Sequence, residues 1–204
     1  RKNRSRAGAA RMAARWWLEA QTLPRPVRRF RRKAIALTVR SGDLRPIWAT
    51  LPTSQLKTLL TLTEGRDFVV EIGTGWGWTA ASIVLANPTC TVETYDPWAV
   101  NGPLDYLRLL PDEARARIGL VKARGEDAAL PNRPVDLMFV DESHQAERIV
   151  ATFMRWRQAL PGDALLVFDD FGNPSWPGVK AAIAQLGLSG QKRGRFYVVK
   201  VPAA

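Results

Sequence analysis

One stretch, Phe68 to Ala86, limits what this chain can become more than any other. Phe68-Val-Val-Glu-Ile72 is short, mostly apolar and rich in β-branched residues, the composition of a buried strand. Gly73, Gly75 and Gly77 follow at once. Glycine reaches backbone angles that other residues avoid and lets a ligand approach the main chain. Thr79 to Ala86 is small and aliphatic and stops at Asn87-Pro88, which reads as a helix. Strand, glycine turn and helix open a doubly wound α/β domain, where such a turn cradles a nucleotide. A ligand-free strand-to-helix turn has the same local signature, so the rest of the chain must decide.

The remainder alternates in the same manner. Thr89 to Tyr95, Ile118 to Lys122, Val135 to Asp141 and Ala164 to Phe168 read as strands. Pro103 to Leu110, Pro111 to about Ile118, and Gln145 to Leu160 read as the helices between them. Gly178 to Gly187 makes one more helix, and Gln191 to Pro202 supplies the closing strands. A helix within Pro46 to Thr63 precedes the first strand, with Thr53 or Ser54 as its expected N-cap. The fold class is therefore α/β: a Rossmann-like, doubly wound, seven-stranded sheet, mostly parallel with the last strand antiparallel. The expected order of the first five strands is 3-2-1-4-5.

Charge divides the chain. Residues 1–45 hold fourteen Lys/Arg against Glu19 and Asp43, a net of +12, whereas the whole chain carries +11. A basic, helical N-terminal extension (residues 1–45) is thus set apart from a near-neutral body (46–204). In Val27 to Val39, residues Val27, Phe30, Ala34 and Leu37 fall at helical spacing among arginines. Such a helix suits an anionic membrane surface, the phosphates of nucleic acid through residues 1–40, or simple packing with solvated arginines. No run of about 18 apolar residues is present, so no spanning helix is expected. Cys90 is the single cysteine, which fits a reducing, cytoplasmic setting, with peripheral membrane attachment through the basic segment as a variant. The chain opens on Arg1, and its natural start is expected upstream.

Glu71 sits inside the first strand, and Trp78 stands where a dinucleotide fingerprint would place its third glycine. Glu71-Ile-Gly73-Thr74-Gly75-Trp76-Gly77 therefore resembles the first motif of the class I S-adenosylmethionine-dependent methyltransferases. That resemblance implies that the loop, with Thr74 and Trp78, wraps the methionine part of the cofactor, and that Glu71 helps hold its ammonium. Asp96, ahead of Pro97 and Trp98, lies about 20 residues past the glycine loop, where α/β binders place a ribose carboxylate. The resemblance puts Gly125 with Glu126 or Asp127 along the adenine; either acid could instead cap the next helix.

The fourth and fifth strands end in acids: Asp141-Glu142-Ser143-His144, and Phe168-Asp169-Asp170. Adjacent strands bring such tips together, and carboxylates at 4 Å repel by about 4 kcal/mol at an effective dielectric near 20. A proton, a basic partner or a hard cation such as Mg²⁺ must offset that. This pairing resembles the Asp-x-x-His subgroup that includes sugar and antibiotic O-methyltransferases, with Glu142 in place of its usual glycine. It implies S-adenosylmethionine as cofactor, Mg²⁺ on Asp141, Asp169 and Asp170, His144 as general base beside Asp141, and a small-molecule hydroxyl acceptor. His144 could alternatively cap a helix or bind the cofactor carboxylate. Two other readings stay open: a nucleic-acid methyltransferase, and a non-catalytic cofactor-binding module docked through its basic N-terminus.

Overall fold

The structure, a computed structural model, describes residues 6–98 and 102–201. The expectations for Arg1, Lys2, Arg4, residues 99–101 and Pro202 lie outside these residues. Helices α1 (Arg6–Glu19), α2 (Arg25–Ser41), α3 (Arg45–Ala49) and α4 (Thr53–Thr63) come first. Strand β1 (Phe68–Ile72), helix α5 (Trp78–Ala86) and strand β2 (Thr91–Tyr95) form the opening unit. Helices α6 (Gly102–Leu107) and α7 (Asp112–Arg115) lead to β3 (Ile118–Val121) and β4 (Leu137–Val140). Then come α8 (Ala146–Trp156), β5 (Leu165–Phe168), α9 (Pro177–Gln185) and the hairpin of β6 (Gln191–Arg193) and β7 (Phe196–Lys200).

The sheet order is β3-β2-β1-β4-β5-β7-β6. The first five strands run parallel, and β7 pairs antiparallel with both β5 and β6. The five residues of β1 are all buried, as a central parallel strand covered on both faces requires. Period-two alternation divides them: Val69 joins one apolar cluster, whereas Phe68, Val70 and Ile72 join the other. β4 divides likewise, with Leu137 and Phe139 on the first side and Met138 and Val140 on the second.

The first cluster also contains Trp16, Leu23, Val27, Phe30, Ala34 and Ile35. Helices α1 and α2 therefore share a core with the sheet. The buried stripe of α2 is Val27, Phe30, Arg31, Ala34, Ile35 and Thr38, centred one step away from Leu37, which is only partly buried. Pro26 in the first turn and Gly42 at φ 72° close the two ends of α2.

Several element ends shift by a few residues from those read in the sequence, and two of the shifts have a local cause. Pro52, in an extended conformation, precedes α4, so Thr53 is its first helical residue; the Thr53 hydroxyl is buried without a partner and caps nothing. Helix α8 ends at Trp156 in a 3₁₀ turn over Arg157–Ala159 and does not continue to Leu160.

Candidate active site

A cavity of about 630 Å³ lies beyond the carboxyl ends of the parallel strands, within the size of sites that hold small ligands. Its walls include Gly73 to Trp76 and Trp78 after β1, Asp96 to Trp98 after β2, Gly125 after β3, Asp141 to His144 after β4, and Asp169–Asp170 after β5. Gly73, at φ 106°, lies against the fourth strand's loop: a Cβ there would collide with the Asp141 carbonyl. At Gly75 a Cβ would meet nothing within 4 Å. The glycine turn thus leaves open space of the kind a bound nucleotide fills. Among the expected cofactor residues, Thr74, Trp78, Pro97 and Trp98 line this space as well, Trp98 being 81% exposed at the rim.

Four expected cofactor residues do not line the cavity: Glu71, Gly77, Glu126 and Asp127. Glu71 is 1% exposed and accepts a hydrogen bond from the Thr94 hydroxyl at 2.6 Å. Thr94 in turn bonds Thr74 of the loop at 2.8 Å, so Glu71 supports the loop from beneath. Burial pushes its carboxyl up to about 8, with the Thr94 bond opposing and Asp96 adding to the rise. Gly77 faces Pro103 and Leu107 of α6. Glu126 pairs at 3.0 Å with Arg148 of α8, which is itself a wall residue, and Asp127 is exposed; neither acid is part of the wall. At that wall the carbonyl of Gly125 accepts from the Trp156 indole at 2.9 Å. Asp96 holds the loop, accepting from the Gly75 amide at 3.2 Å and the Trp98 amide at 2.7 Å. Its carboxylate keeps lone pairs for further donors.

The acidic tips do meet, and a basic residue neutralises them. Arg195, in the β6–β7 turn, donates to Asp169 Oδ2 at 3.0 Å and to Asp170 Oδ1 at 2.6 Å. His144 Nε2 lies 3.0 Å from Asp170 Oδ2, and Asn173 donates to Asp170 Oδ1 at 2.9 Å. Burial pushes the Asp170 carboxyl up, but His144, Asn173 and Arg195 together outweigh it and hold it below the usual range. An ionised Asp170 accepts the Nε2 proton, which leaves Nδ1 of a neutral His144 as the proton acceptor. The imidazole also stacks on Trp176, centroids 4.2 Å apart and 18° from parallel. Gly178 allows α9 to approach, because a Cβ there would strike the His144 carbonyl. Asp170 is the one non-glycine at positive φ (55°) among the described residues, a conformation often held at functional sites.

Asp141 lies half-buried beside these groups, and its carboxyl is pushed well above the usual range by loss of water and then by Asp169 and Asp170. Burial raises Asp169 to about 6 against the opposing field of Arg195. Among the described residues, Asp141, His144 and Asp170 each offer a ligand atom within 4.8 Å of the others. The expected metal set contained Asp169 in place of His144. Asp169 is not among that trio: Arg195 holds one of its oxygens, and the other is buried without a partner. The spacing of the trio fits a divalent cation, and an imidazole among the donors suits a transition metal better than Mg²⁺.

A family model described as a methyltransferase domain matches residues 70–171, from the first strand to just past the Asp169–Asp170 pair. This chain belongs to that methyltransferase family. The match spans the glycine loop and both acidic strand ends, and the sheet is the Rossmann-like one of class I S-adenosylmethionine-dependent methyltransferases. Among solved structures, the O-methyltransferase TomG from Streptomyces achromogenes, involved in tomaymycin synthesis and in complex with S-adenosylmethionine, is similar. It has a TM-score of 0.66 at 20% identity, over 94% of this chain and 99% of that one. A TDP-rhamnose 3′-O-methyltransferase of calicheamicin biosynthesis aligns with a TM-score of 0.63 at 16% identity, over 96% and 95% of the two chains. A cofactor-bound protein from MTB gives 0.63 at 19% identity, over 99% and 94%. At such identities these likenesses speak for the fold. No curated protein matches by sequence.

Arg195, Trp176 and Asn173 did not stand out in the sequence, yet each touches the acidic cluster or its histidine.

Proposed function

We propose that this methyltransferase acts on a hydroxyl group of a small molecule, with His144 as the general base. The observation that carries this reading is the Asp170–His144 pair, which lines the same cavity as the glycine loop. When bound, S-adenosylmethionine supplies a methyl group already activated by its sulfonium. What remains for the protein is to align an alcohol and remove its proton. His144 takes that proton; Asp170 fixes the ring's tautomer and stabilises the imidazolium as it forms. Arg195 and Asn173 keep Asp170 ionised for that purpose, and Trp176 holds the ring plane. The activities of the two natural-product O-methyltransferases of similar fold, one of them on a nucleotide-linked sugar, support hydroxyl acceptors of this class.

A divalent cation would rest on Asp141, His144 and Asp170, where it would polarise the acceptor hydroxyl. A histidine bound to metal through its free nitrogen cannot also accept the proton, so a chelator separates the two roles. Activity that survives chelation supports His144 as base. The main test is His144→Asn with labelled S-adenosylmethionine and a pool of hydroxylated acceptors. Turnover should fall by about 10²–10⁴-fold, the usual contribution of general base catalysis, with cofactor affinity by calorimetry within about twofold. Unchanged turnover would remove His144 from the mechanism.

A further inference from the structure

We infer that the outward face of α2, with the end of α1, docks the protein on an anionic lipid bilayer. Helix α2 carries seven Lys/Arg and no acidic residue. Arg31 turns inward and is 1% exposed. Arg25, Arg28, Arg29, Arg32, Lys33 and Arg40 lie on the partly or fully exposed sides, and none forms an ion pair among the described residues. Arg25, Arg29 and Lys33 recur every fourth residue, and Arg40 falls on the same face two turns on.

An apolar edge borders this face. Trp17 is 40% exposed and Leu18 65% exposed at the end of α1. The Arg32 guanidinium lies over the Trp17 ring, 5.2 Å from its centroid, so the basic and apolar parts are one surface. Phosphates of nucleic acid would answer the charges alone. A bilayer answers both: its anionic headgroups meet the arginines, while Trp17 and Leu18 enter the interface.

The face is also pre-formed. On the reverse side Val27, Phe30, Ala34 and Ile35 sit in the main core. Arg31 donates to the Thr50 hydroxyl at 2.7 Å and to the Leu51 carbonyl at 2.9 Å, and its guanidinium lies 5.0 Å from the Trp78 ring. Binding therefore needs no ordering of this helix. For the same reason, deleting α2 would unravel the core, and surface substitutions are the cleaner probe.

The experiment is co-sedimentation of the full chain with phosphatidylcholine vesicles, with and without about one third phosphatidylglycerol. Binding should need the anionic lipid and should weaken steeply between about 0.1 M and about 0.5 M salt. Each basic residue near such a surface is worth roughly fivefold in affinity. The variant Arg25→Glu/Arg29→Glu/Lys33→Glu should therefore bind at least about a hundredfold more weakly. Trp17→Ser/Leu18→Ser should weaken binding while leaving its salt dependence in place. Thermal melts within a few degrees of the parent show that both variants fold; Arg29→Gln/Lys33→Gln serves should the triple variant melt early. Equal sedimentation of the charge variants, or none of the parent with anionic vesicles, overturns the inference. So does tighter binding to a mixed-sequence duplex than to vesicles at equal salt, which would assign the face to nucleic acid.

Discussion

Glu71 offers a sharp test of the electrostatics beneath the cofactor loop. Its carboxyl is wholly buried, and its pKa is raised from 4.5 to about 8, chiefly by loss of water. A native state that keeps this proton while the unfolded chain has lost it binds more protons. Stability is then fully present below about pH 4.5 and is lost as pH rises towards about 8. Glu71→Gln keeps the shape and cannot ionise, so it removes this loss. At about 1.4 kcal/mol per unit, the gain between about pH 5 and about pH 8.5 has a ceiling near 4 kcal/mol. Relaxation around an ionised carboxylate brings the expected value to about 2 kcal/mol. Asp141 reinforces the sign, because Glu71 is one of the charges that raise its pKa. The assay is urea unfolding of parent and variant at both pH values. Any constant cost of altering the bond to Thr94 cancels in the difference. A stability difference between the two proteins that does not change with pH would show that Glu71 does not keep its proton in the native state.

Other perturbations follow from the same geometry. Arg195→Met should destabilise by about 1–2 kcal/mol, discounted because the arginine is partly exposed, and more at pH 8 than at pH 5. Protons can replace the lost cation on Asp169 and Asp170 at the lower pH; urea unfolding at the two values checks this. Gly178→Ala should push α9 against the His144 carbonyl and lower turnover about tenfold or more, with cofactor affinity intact, as kcat and calorimetry would show. Trp176→Ala should lower kcat by freeing the imidazole ring, with little effect on thermal stability because Trp176 is 44% exposed.

The parts of the fold that sequence reveals are those written locally. Gly73, Gly75 and Gly77 directly follow an apolar strand, and every strand-to-helix joint carries its own turn signal. Those signals suffice for the order of the first five strands and for the carboxylates at their ends. Long-range partners are not written locally. Arg195 reaches Asp170 from 25 positions away because the closing hairpin folds back beside β5. Glu126 likewise finds its partner, Arg148, on α8, 22 positions on. Arg31 did leave a trace: it stands four residues after Val27, on the buried stripe, but a run of arginines hides which one points inward. The misplaced N-cap at Thr53 has a simpler cause, since Pro52 already holds the extended conformation from which the helix starts.

The proposed chemistry requires that the cofactor's methyl group and the His144–Asp170 pair face one another across a single cavity. A crystal structure with S-adenosylmethionine measures this directly. The sulfonium should lie over Gly73 to Gly75, with its methyl about 5–6 Å from His144 Nδ1, which leaves room for one acceptor oxygen between them. A cofactor bound outside this cavity, or a methyl turned towards Trp98 and away from His144, would contradict it.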